Sequence, residues 1–363
     1  MSTGPHQNST ATRFFLSACL LTLLGLFFVF SVSQVHALNL TGNQYFFVQQ
    51  QLQWVVVGMA GLLLLWRVHP DVWERSALLL YTSSLSLLVF TFLPGLGMEI
   101  NGARRWIGIG SFSFQPVELV KFALVMYLAV WLRKRQSLVP FLGIVGLPVG
   151  LIMLQPDMGS ALIVLAIAFG LYFLAGVPWQ TFGKLLVLGV LALGVLVLVS
   201  PYRLRRIQSY FDPGSDPLGA SFHIRQITIA LGNGGWLGQG IGRSHQKYAY
   251  IPEASTDSIF AIIAEEVGFV GSVIILLCFC SFFLFGERIV HHQKTESFAF
   301  YAAGGLLIWL AAQFLLNLAA IVALVPLTGV PLPFFSYGGT ALAMTLGVVG
   351  VLLGFERRAT KKE

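Results

Sequence analysis

The sequence predicts an all-α polytopic membrane protein with about ten transmembrane helices. Hydrophobic residues occupy 56% of the 363 positions, charged residues occupy only 10%, and the mean hydropathy is +0.80. Soluble domains carry about 25% charged residues. No polar stretch is long enough to build a second core, so we expect a single membrane domain over residues 1–363.

Apolar runs of spanning length, or slightly less, recur along the chain. Their ranges are 14–33, 54–68, 76–96, 117–133, 139–154, 158–176, 182–200, 257–286, 298–325 and 338–356. The first run follows Arg13 and precedes small residues at 35–37, as a secretory signal does, but its length and the runs after it favour a first membrane helix. Only Gln155–Asp157 separates the fifth and sixth runs, so they form a tight hairpin or one broken helix.

Basic residues are distributed unevenly over the loops, and this distribution predicts the orientation. With an even number of spans both termini lie on one side, and most of the 22 Lys and Arg residues fall on that side. The tails 1–13 and 357–363 are therefore predicted to be cytoplasmic. The long loop 201–256, between the seventh and eighth spans, faces outward. The net charge of +7 lies mostly in short loops and does not indicate nucleic-acid binding.

Acidic residues cluster where the long outer loop meets the eighth run, in IPEASTDSIFAIIAEEVG. A helix cap is a sufficient explanation of Asp257 alone. Carboxylates inside a membrane segment cost about 2.5–3.5 kcal/mol and indicate a function or a buried partner. On a helix, Glu265 lies about two turns below Asp257 while Glu266 points away, so at most one of them shares the wall that Asp257 faces.

Two arginines and an aspartate lie on the same predicted outer face. Arg104 and Arg105, in NGARRW, either anchor the interface beside Trp106 or bind a phosphate, and taken alone the anchor is favoured. Asp157, in LQPDMGS, is placed to cap the next helix, and as a second outer carboxylate it leaves room for a cation or an acid–base role. Polar motifs far apart in sequence are thus expected to meet above one leaflet.

A glutamate and a lysine occur inside the fourth apolar run. Glu118 and Lys121 lie one turn apart on a helix, which predicts an internal ion pair that neutralises both charges. Lys121 can also face Asp257 across the bundle and hold it ionised. Both interpretations stay open at this point.

The outer loop is basic and rich in glycine. Its basic residues are Arg203, Arg205, Arg206, Arg225, Arg243 and Lys247. No βαβ unit precedes GQGIGR, so a nucleotide loop is excluded, and tight turns whose N–H groups approach an anion are expected instead. The loop contacts anionic headgroups or binds a specific lipid pyrophosphate. The irregular segment VPLTGVPLPFFSYGGT must pack on protein or face water, and Gln313 and Asn317 before it are expected to bond between helices.

These motifs occur in a fixed order. NGARRWIGIGSFSFQPVELVK, LQPDMGS, the loop from YRLRRIQSYFDP to GNGGWLGQGIG, IPEASTDSIFAIIAEEVG and PLTGVPLPFFSYGGT follow one another along the chain. Together they resemble the SEDS family of shape, elongation, division and sporulation proteins (FtsW, RodA and SpoVE) over residues 14–356. NGARRW and the IPEA…TD…EE block are more similar to the FtsW/SpoVE branch than to the RodA branch.

The resemblance implies a ten-helix fold in the cell inner membrane with both termini cytoplasmic. It implies a peptidoglycan glycosyltransferase that polymerises lipid II, an undecaprenyl-diphosphate-linked disaccharide-peptide, at the outer leaflet for cell division or cell-wall synthesis. The implied partners are lipid II, the growing glycan strand, membrane lipids and a class B penicillin-binding protein, which is a transpeptidase. No transpeptidase motif is visible in the chain itself.

The resemblance also assigns residues. The family's essential acid falls on Asp257, and family members depend on positions matching Glu118, Lys121, Asp157 and Arg206. The chain departs from the commonest pattern at three positions where relatives often have His, Phe and Gln: Ser255, Ser258 and His223. The acid is kept, so the departures concern local packing and substrate contacts.

On this basis we expect Asp257 to act as the general base on the acceptor sugar's 4-hydroxyl, with Lys121 and Glu118 beside it. Basic and polar groups are expected to bind the pyrophosphate-linked substrate: Arg206 first, then Arg104, Arg105, Asp157, Arg243 and Lys247. A divalent cation, Mg²⁺ or Mn²⁺, with Asp157 or Asp257 as ligand stays open, because the sequence contains no recognisable metal motif.

Two other functions stay open. A flippase for the lipid-linked precursor would use the intramembrane charged residues as a polar pathway, although the motifs gather on one face and no transporter-like repeat is visible. A non-catalytic scaffold that recruits a class B penicillin-binding protein would be indifferent to Asp257.

Overall fold

The computed structural model describes residues 5–100, 102–109, 112–134, 137–198, 204, 208, 210–211, 220–246 and 255–359. The helices defined within them are α1 Pro5–Thr41, α2 Phe46–Leu65, α3 Pro70–Phe90, α4 Pro116–Leu132, α5 Leu138–Leu154, α6 Met158–Leu174, α7 Trp179–Leu198, α8 Ala220–Gly234, α9 Ile259–His291, α10 Phe298–Ile321 and α11 Gly339–Ala359. The strands are β1 Gly97–Ile100, β2 Ala103–Ile109 and β3 Phe112–Phe114.

The all-α polytopic membrane fold is confirmed, because every helix except α8 overlaps a predicted apolar run. Among the described residues, five helices are long and apolar enough to cross a membrane: α1 from Ser9 onward, α2, α9, α10 and α11. The fifth and sixth runs form separate helices, α5 and α6, that pack against each other. Helix α8 and the sheet were not predicted, and both lie in loops predicted to face outward.

Helix starts follow local capping chemistry. Pro116 begins α4, where its missing N–H would be unpaired in any case. Asp157 caps α6, as predicted, by accepting a hydrogen bond from Ser160 N at 3.0 Å. Ser297 does the same for α10 by accepting from Phe300 N at 3.1 Å.

Close helix packing holds the bundle together. The backbones of α2 and α11 approach closely at Gly350, where a Cβ would lie 2.7 Å from Leu62 Cα. Phe279 of α9 stacks on Phe314 of α10 with ring centroids 4.5 Å apart. Most side chains of α4 are buried, which places this helix at the centre of the bundle.

The small antiparallel sheet, in the order β1-β2-β3, lies at the end of the bundle where α4 begins. Its attachment to the bundle includes Thr340, whose Oγ1 donates to Ser113 O at 3.3 Å and accepts from Gln115 N at 3.4 Å. The sheet therefore holds the arginines of β2 above the starts of α4 and α11.

Helix α9 is broken at Gly268, whose φ of 69° and ψ of −170° are not helical. A Cβ at Gly268 would overlap the backbone nitrogen of Gly238, so only glycine fits this approach. The loop after α8 pairs the backbone groups around the break: Phe269 N with Gly235 O (2.9 Å), Val270 N with Trp236 O (3.1 Å), Gln239 N with Glu265 O (2.9 Å) and Gly240 N with Glu266 O (3.0 Å). The expectation that this glycine-rich loop turns its N–H groups toward an anion is wrong for Gln239 and Gly240, because the amides of both bond to main-chain carbonyls of α9.

Candidate functional site

Asp257 lies in the turn of residues 255–258, immediately before α9, and is partly exposed. Its Oδ1 accepts a hydrogen bond from Thr256 Oγ1 at 3.3 Å. Its Oδ2 faces Gly329: a Cβ atom added to Gly329 would lie 3.9 Å from this oxygen. Asp257 therefore precedes the helix that carries Glu265 and does not belong to it, whereas the prediction placed both residues on one helix.

The backbone around Asp257 is held by α10 and by the segment 322–338 that follows it. Three consecutive carbonyls each accept a hydrogen bond: Ser255 O from Tyr337 N (2.8 Å), Thr256 O from Ser336 Oγ and Asp257 O from Asn317 Nδ2 (2.7 Å). Asn317 Nδ2 also donates to Val330 O at 2.8 Å. Asn317 does not bond to another helix, as was expected of it, but to the turn before α9 and to the segment after α10, and it fixes the main chain of Asp257 without using the carboxylate.

Helix α2 supports the same segment from the other side. Gln51 Nε2 donates to Ser336 O at 3.2 Å, and Gln51 Oε1 accepts from Gly338 N at 3.4 Å. The Tyr337 hydroxyl donates to Gln50 Oε1, and burial raises the pKa of this hydroxyl, which keeps it a donor. Neither glutamine was predicted to belong to the site, because glutamine near a helix end is common and its role depends on which segment packs beside it.

The predicted ion pair between Glu118 and Lys121 is present, with Lys121 Nζ 2.7 Å from Glu118 Oε1 and both side chains at most 3% exposed. Lys121 Nζ also donates to Gln313 Oε1 at 3.3 Å and lies 5.1 Å from the centre of the Trp309 ring. Lys121 is thus paired with Glu118 and not with Asp257. Among the residues that the structure describes, no ion pair or hydrogen bond joins Lys121 to Asp257.

The buried pair instead reaches the site indirectly, through α10. Gln313, which accepts from Lys121, donates through Nε2 to Pro331 O at 3.0 Å. Asn317 lies one turn further along α10 and holds Val330 O. The charged pair therefore supports the segment that lies against Asp257.

Asp157 caps the start of α6, and Arg105 of β2 bonds to the two residues before it. Asp157 is 6% exposed, and its Oδ2 accepts from Ser160 Oγ at 2.8 Å. Arg105 Nε donates to Gln155 O at 3.0 Å and Arg105 Nη2 donates to Pro156 O at 2.5 Å, tying β2 to this turn. At the start of α6, Gly159 packs against Thr328 and Val330. Gly329, between these two residues, faces Asp257, so the start of α6 lies near Asp257.

The other basic residues are placed differently. Arg104 Nε lies 3.3 Å from Glu99 Oε2, with both side chains about half exposed. Arg243 is exposed in the loop after α8. Arg206 and Lys247 lie outside the described residues. Of the predicted basic residues, Arg105 therefore bonds to main-chain carbonyls of the protein, whereas the side chains of Arg104 and Arg243 are exposed to solvent.

The two arginines of β2 should behave differently on substitution. We expect Arg105→Gln to lower the free energy of unfolding by about 2 kcal/mol, because it removes two charge-assisted hydrogen bonds, to the partly buried Gln155 O and to the exposed Pro156 O. Arg104→Gln, which breaks only an exposed pair, should change it by less than about 1 kcal/mol. Denaturant unfolding of the purified variants in detergent checks this, and equal losses would contradict the assignment.

The two glutamates of α9 point to different partners, as predicted. Glu266 accepts from Ser31 Oγ of α1, with its Oε2 at 2.8 Å. Glu265 is fully buried and accepts from Asn233, Ser244 and Gln246 of the outer loop. Each carboxylate has polar partners that offset the cost of burial.

Two of the three departures from the family pattern contact each other. His223 Nε2 of α8 lies 2.8 Å from Ser258 Oγ, the residue after Asp257. The third, Ser255, uses its carbonyl to accept from Tyr337 N. The departures at 223 and 258 are therefore one local change that links α8 to the start of α9.

A metal site is not defined by the described residues, among which no group of three or more His, Cys, Asp and Glu side chains converges. Both oxygens of Asp157 already accept hydrogen bonds from Ser160. The divalent cation stays a prediction.

Comparison with known proteins identifies the family. The family model of the FtsW/RodA/SpoVE cell cycle proteins matches residues 11–361. The chain belongs to this family. Stage V sporulation protein E of Bacillus subtilis (strain 168) is 39% identical over 346 residues, covering 93% of this chain and 94% of the relative. A probable peptidoglycan glycosyltransferase FtsW of Geobacter sp. (strain M18) is 38% identical over 354 residues, covering 94% and 95%.

Solved structures share the fold. One, from work on the structural coordination of polymerization and crosslinking by a peptidoglycan synthase complex, matches with a TM-score of 0.76 and 29% identity, covering 95% of this chain and 96% of that one. The rod shape determining protein RodA of Thermus thermophilus matches with a TM-score of 0.69 and 27% identity, covering 95% of each chain. The family resemblance read from the motifs is confirmed, and the chain is a membrane protein of this family.

Proposed function

We propose that the protein is a peptidoglycan glycosyltransferase that polymerises lipid II into glycan strands at the outer leaflet of the cytoplasmic membrane. The observation that carries this proposal is the partly exposed Asp257 carboxylate, held on a fixed turn at one end of an apolar bundle. Relatives named as probable peptidoglycan glycosyltransferases, at 38% identity or more over nearly the whole chain, support the reaction class.

In the proposed reaction the acceptor 4-hydroxyl attacks C1 of the donor sugar, the bond from C1 to the diphosphate oxygen breaks, and undecaprenyl diphosphate leaves. Asp257 accepts the hydroxyl proton. An ordinary Asp has a pKa of about 3.9 and is a weak base at neutral pH. Its contribution then depends on position, and the hydrogen bonds to three successive carbonyls supply that position.

Basic groups are proposed to bind the diphosphate. Arg104 and Arg243 are exposed and available for this role. Arg206 and Lys247 are proposed from the family resemblance alone. Glu118 and Lys121 are assigned a supporting role, because both are buried and act through Gln313.

We also propose that both termini are cytoplasmic and that the partner is a class B penicillin-binding protein. The Arg358 guanidinium, near the end of α11, donates to Arg67 O at 3.0 Å, so the basic residues after α2 and at the end of α11 lie together at the end opposite Asp257, which supports this orientation. The peptidoglycan synthase complex of similar fold coordinates polymerisation with crosslinking, which supports a transpeptidase partner.

The positioning of Asp257 can be tested separately from its chemistry. We expect Asn317→Leu and Ser336→Ala to lower kcat for polymerisation by about tenfold to a hundredfold while KM for lipid II changes little, because a small misplacement of a catalytic group is costly. Thr345→Ala is the matched control, since Thr345 makes a comparable buried hydrogen bond within α11, to Ala341 O. Equal losses in the control would contradict the positioning role.

The proposed function is tested by incubating the purified protein with lipid II, with and without a class B penicillin-binding protein. Polymer in either condition supports the glycosyltransferase. Absence of polymer in both, together with scrambling of lipid II in vesicles, would favour the flippase.

A further inference from the structure

The fully buried carboxylate of Glu265 collects polar groups from the outer loop. It accepts from Asn233 Nδ2 at 3.2 Å, from Ser244 Oγ and from Gln246 N at 3.3 Å. Asn233 lies in the last turn of α8, and Ser244 and Gln246 lie in the loop that follows it. Burying a carboxylate costs free energy unless it is hydrogen-bonded. The bonds from Ser244 and Gln246 meet this requirement and at the same time hold the loop against α9.

The loop segment 241–246 alternates in exposure. Ser244 and Gln246 are buried, at 0% and 7% exposure, and both contact Glu265. Arg243 and His245, between and beside them, are exposed. This alternation means that the bonds to Glu265 determine which side chains the segment presents outward.

Glu265 is connected to Asp257 through a short stretch of buried main chain. The residues from Ser258 to Glu266 are all buried and helical from Ile259 onward. The loop and Asp257 are thus joined to the two ends of one short, packed helical segment. Whatever holds the loop on Glu265 also sets the position of Arg243 relative to Asp257.

We propose that Glu265 is a positioning residue that holds loop segment 241–246 so that Arg243 faces the diphosphate of the lipid-linked substrate. This inference rests on the proposed function for its substrate class. It does not require Glu265 to touch the substrate. The loop segment, through Arg243, makes the contact.

The first test is hydrogen exchange on the full-length protein in detergent, with Glu265→Gln and, in case that variant does not fold, Ser244→Ala. The amide of Gln246, which donates to the carboxylate, should exchange at least about tenfold faster in both variants. The amides of Gln239 and Gly240 should stay protected, because they bond to the main-chain carbonyls of Glu265 and Glu266. Unchanged exchange at Gln246 would overturn the proposal.

The second test is kinetic. Glu265→Gln should raise KM for lipid II about tenfold with kcat nearly unchanged, and Arg243→Gln should do the same. The double variant should be no worse than Arg243→Gln alone, because both act through one contact. Glu287→Gln is the matched control, since Glu287 is an exposed acid on the same helix. A fall in kcat without a change in KM, or additive effects in the double variant, would overturn the proposal.

The two arms separate this inference from the proposed function. If the wild-type protein makes no polymer under any condition, the proposed function fails while the exchange result still decides whether Glu265 holds the loop. If polymer forms and depends on Asp257, but Glu265→Gln changes neither the exchange rate of the Gln246 amide nor KM for lipid II, only this inference fails.

Discussion

Replacing Asp257 with asparagine is expected to lower the rate of lipid II polymerisation by about 10²–10⁴-fold, the range that a positioned general base contributes. Asparagine keeps the size of the side chain and cannot accept the proton. The hydrogen bonds that hold the turn use main-chain carbonyls, so the fold should be unchanged. Polymer length and rate in a purified assay measure the effect.

The control for this variant is its own stability. Asp257→Asn and the wild type should give the same thermal unfolding midpoint in detergent, because the acceptor groups of the turn remain. An inactive variant that also unfolds early would mean that the carboxylate is structural. Polymerisation near the wild-type rate would remove Asp257 as the base.

Replacing Lys121 with methionine is expected to lower the free energy of unfolding by about 3–5 kcal/mol, because Glu118 is then left as an uncompensated charge in the core. The two side chains are at most 3% exposed and 2.7 Å apart. The loss should appear as a lower denaturant midpoint of the purified protein. Activity should fall with it, since Gln313 Oε1 loses one of its two donors, Lys121, and keeps only Trp309, which weakens the support beside Asp257.

Two further variants decide whether the loss comes from the unpaired charge. The double variant Glu118→Gln with Lys121→Met should recover most of the stability, because no buried charge is left. Arg133→Gln, which breaks the partly exposed pair with Glu74, should cost less than about 1 kcal/mol. A double variant as unstable as Lys121→Met would show that methionine packing, and not charge, causes the loss.

Much of the fold could be predicted because membrane helices are encoded locally. Apolar runs long enough to span the bilayer, the one-turn spacing of Glu118 and Lys121, and the cap at Asp157 all depend on neighbouring residues. The structure contains each of them. The family followed from the order of motifs.

The missing parts depend on contacts between distant segments. The break at Gly268 is stable only because the loop after α8 pairs the backbone groups around it, and no local pattern indicates that partner. The amides of the same loop were expected to bind an anion, because the sequence does not show that some of them bond to the main chain of α9. The three-stranded sheet is short and held partly by Thr340, far along the chain.

The candidate site was predicted in its acid but not in its supports. Asp257 stood out because it begins an apolar run next to buried glutamates. Ser336 and Gln51 did not, because serine and glutamine near a helix end are common and their roles depend on which loop packs beside them. From the sequence, Lys121 could pair with Glu118 or with Asp257. The choice of Glu118 depends on how the helices pack, which the sequence pattern does not show.

The most direct test of the central claim is lipid II polymerisation and lipid II translocation measured in the same proteoliposomes, for the wild type and Asp257→Asn. We expect glycan polymer from the wild type, at least about a hundredfold slower polymerisation by the variant, and no difference in translocation between the two. Translocation that requires the protein, with no polymer formed even when a class B penicillin-binding protein is added, would contradict it.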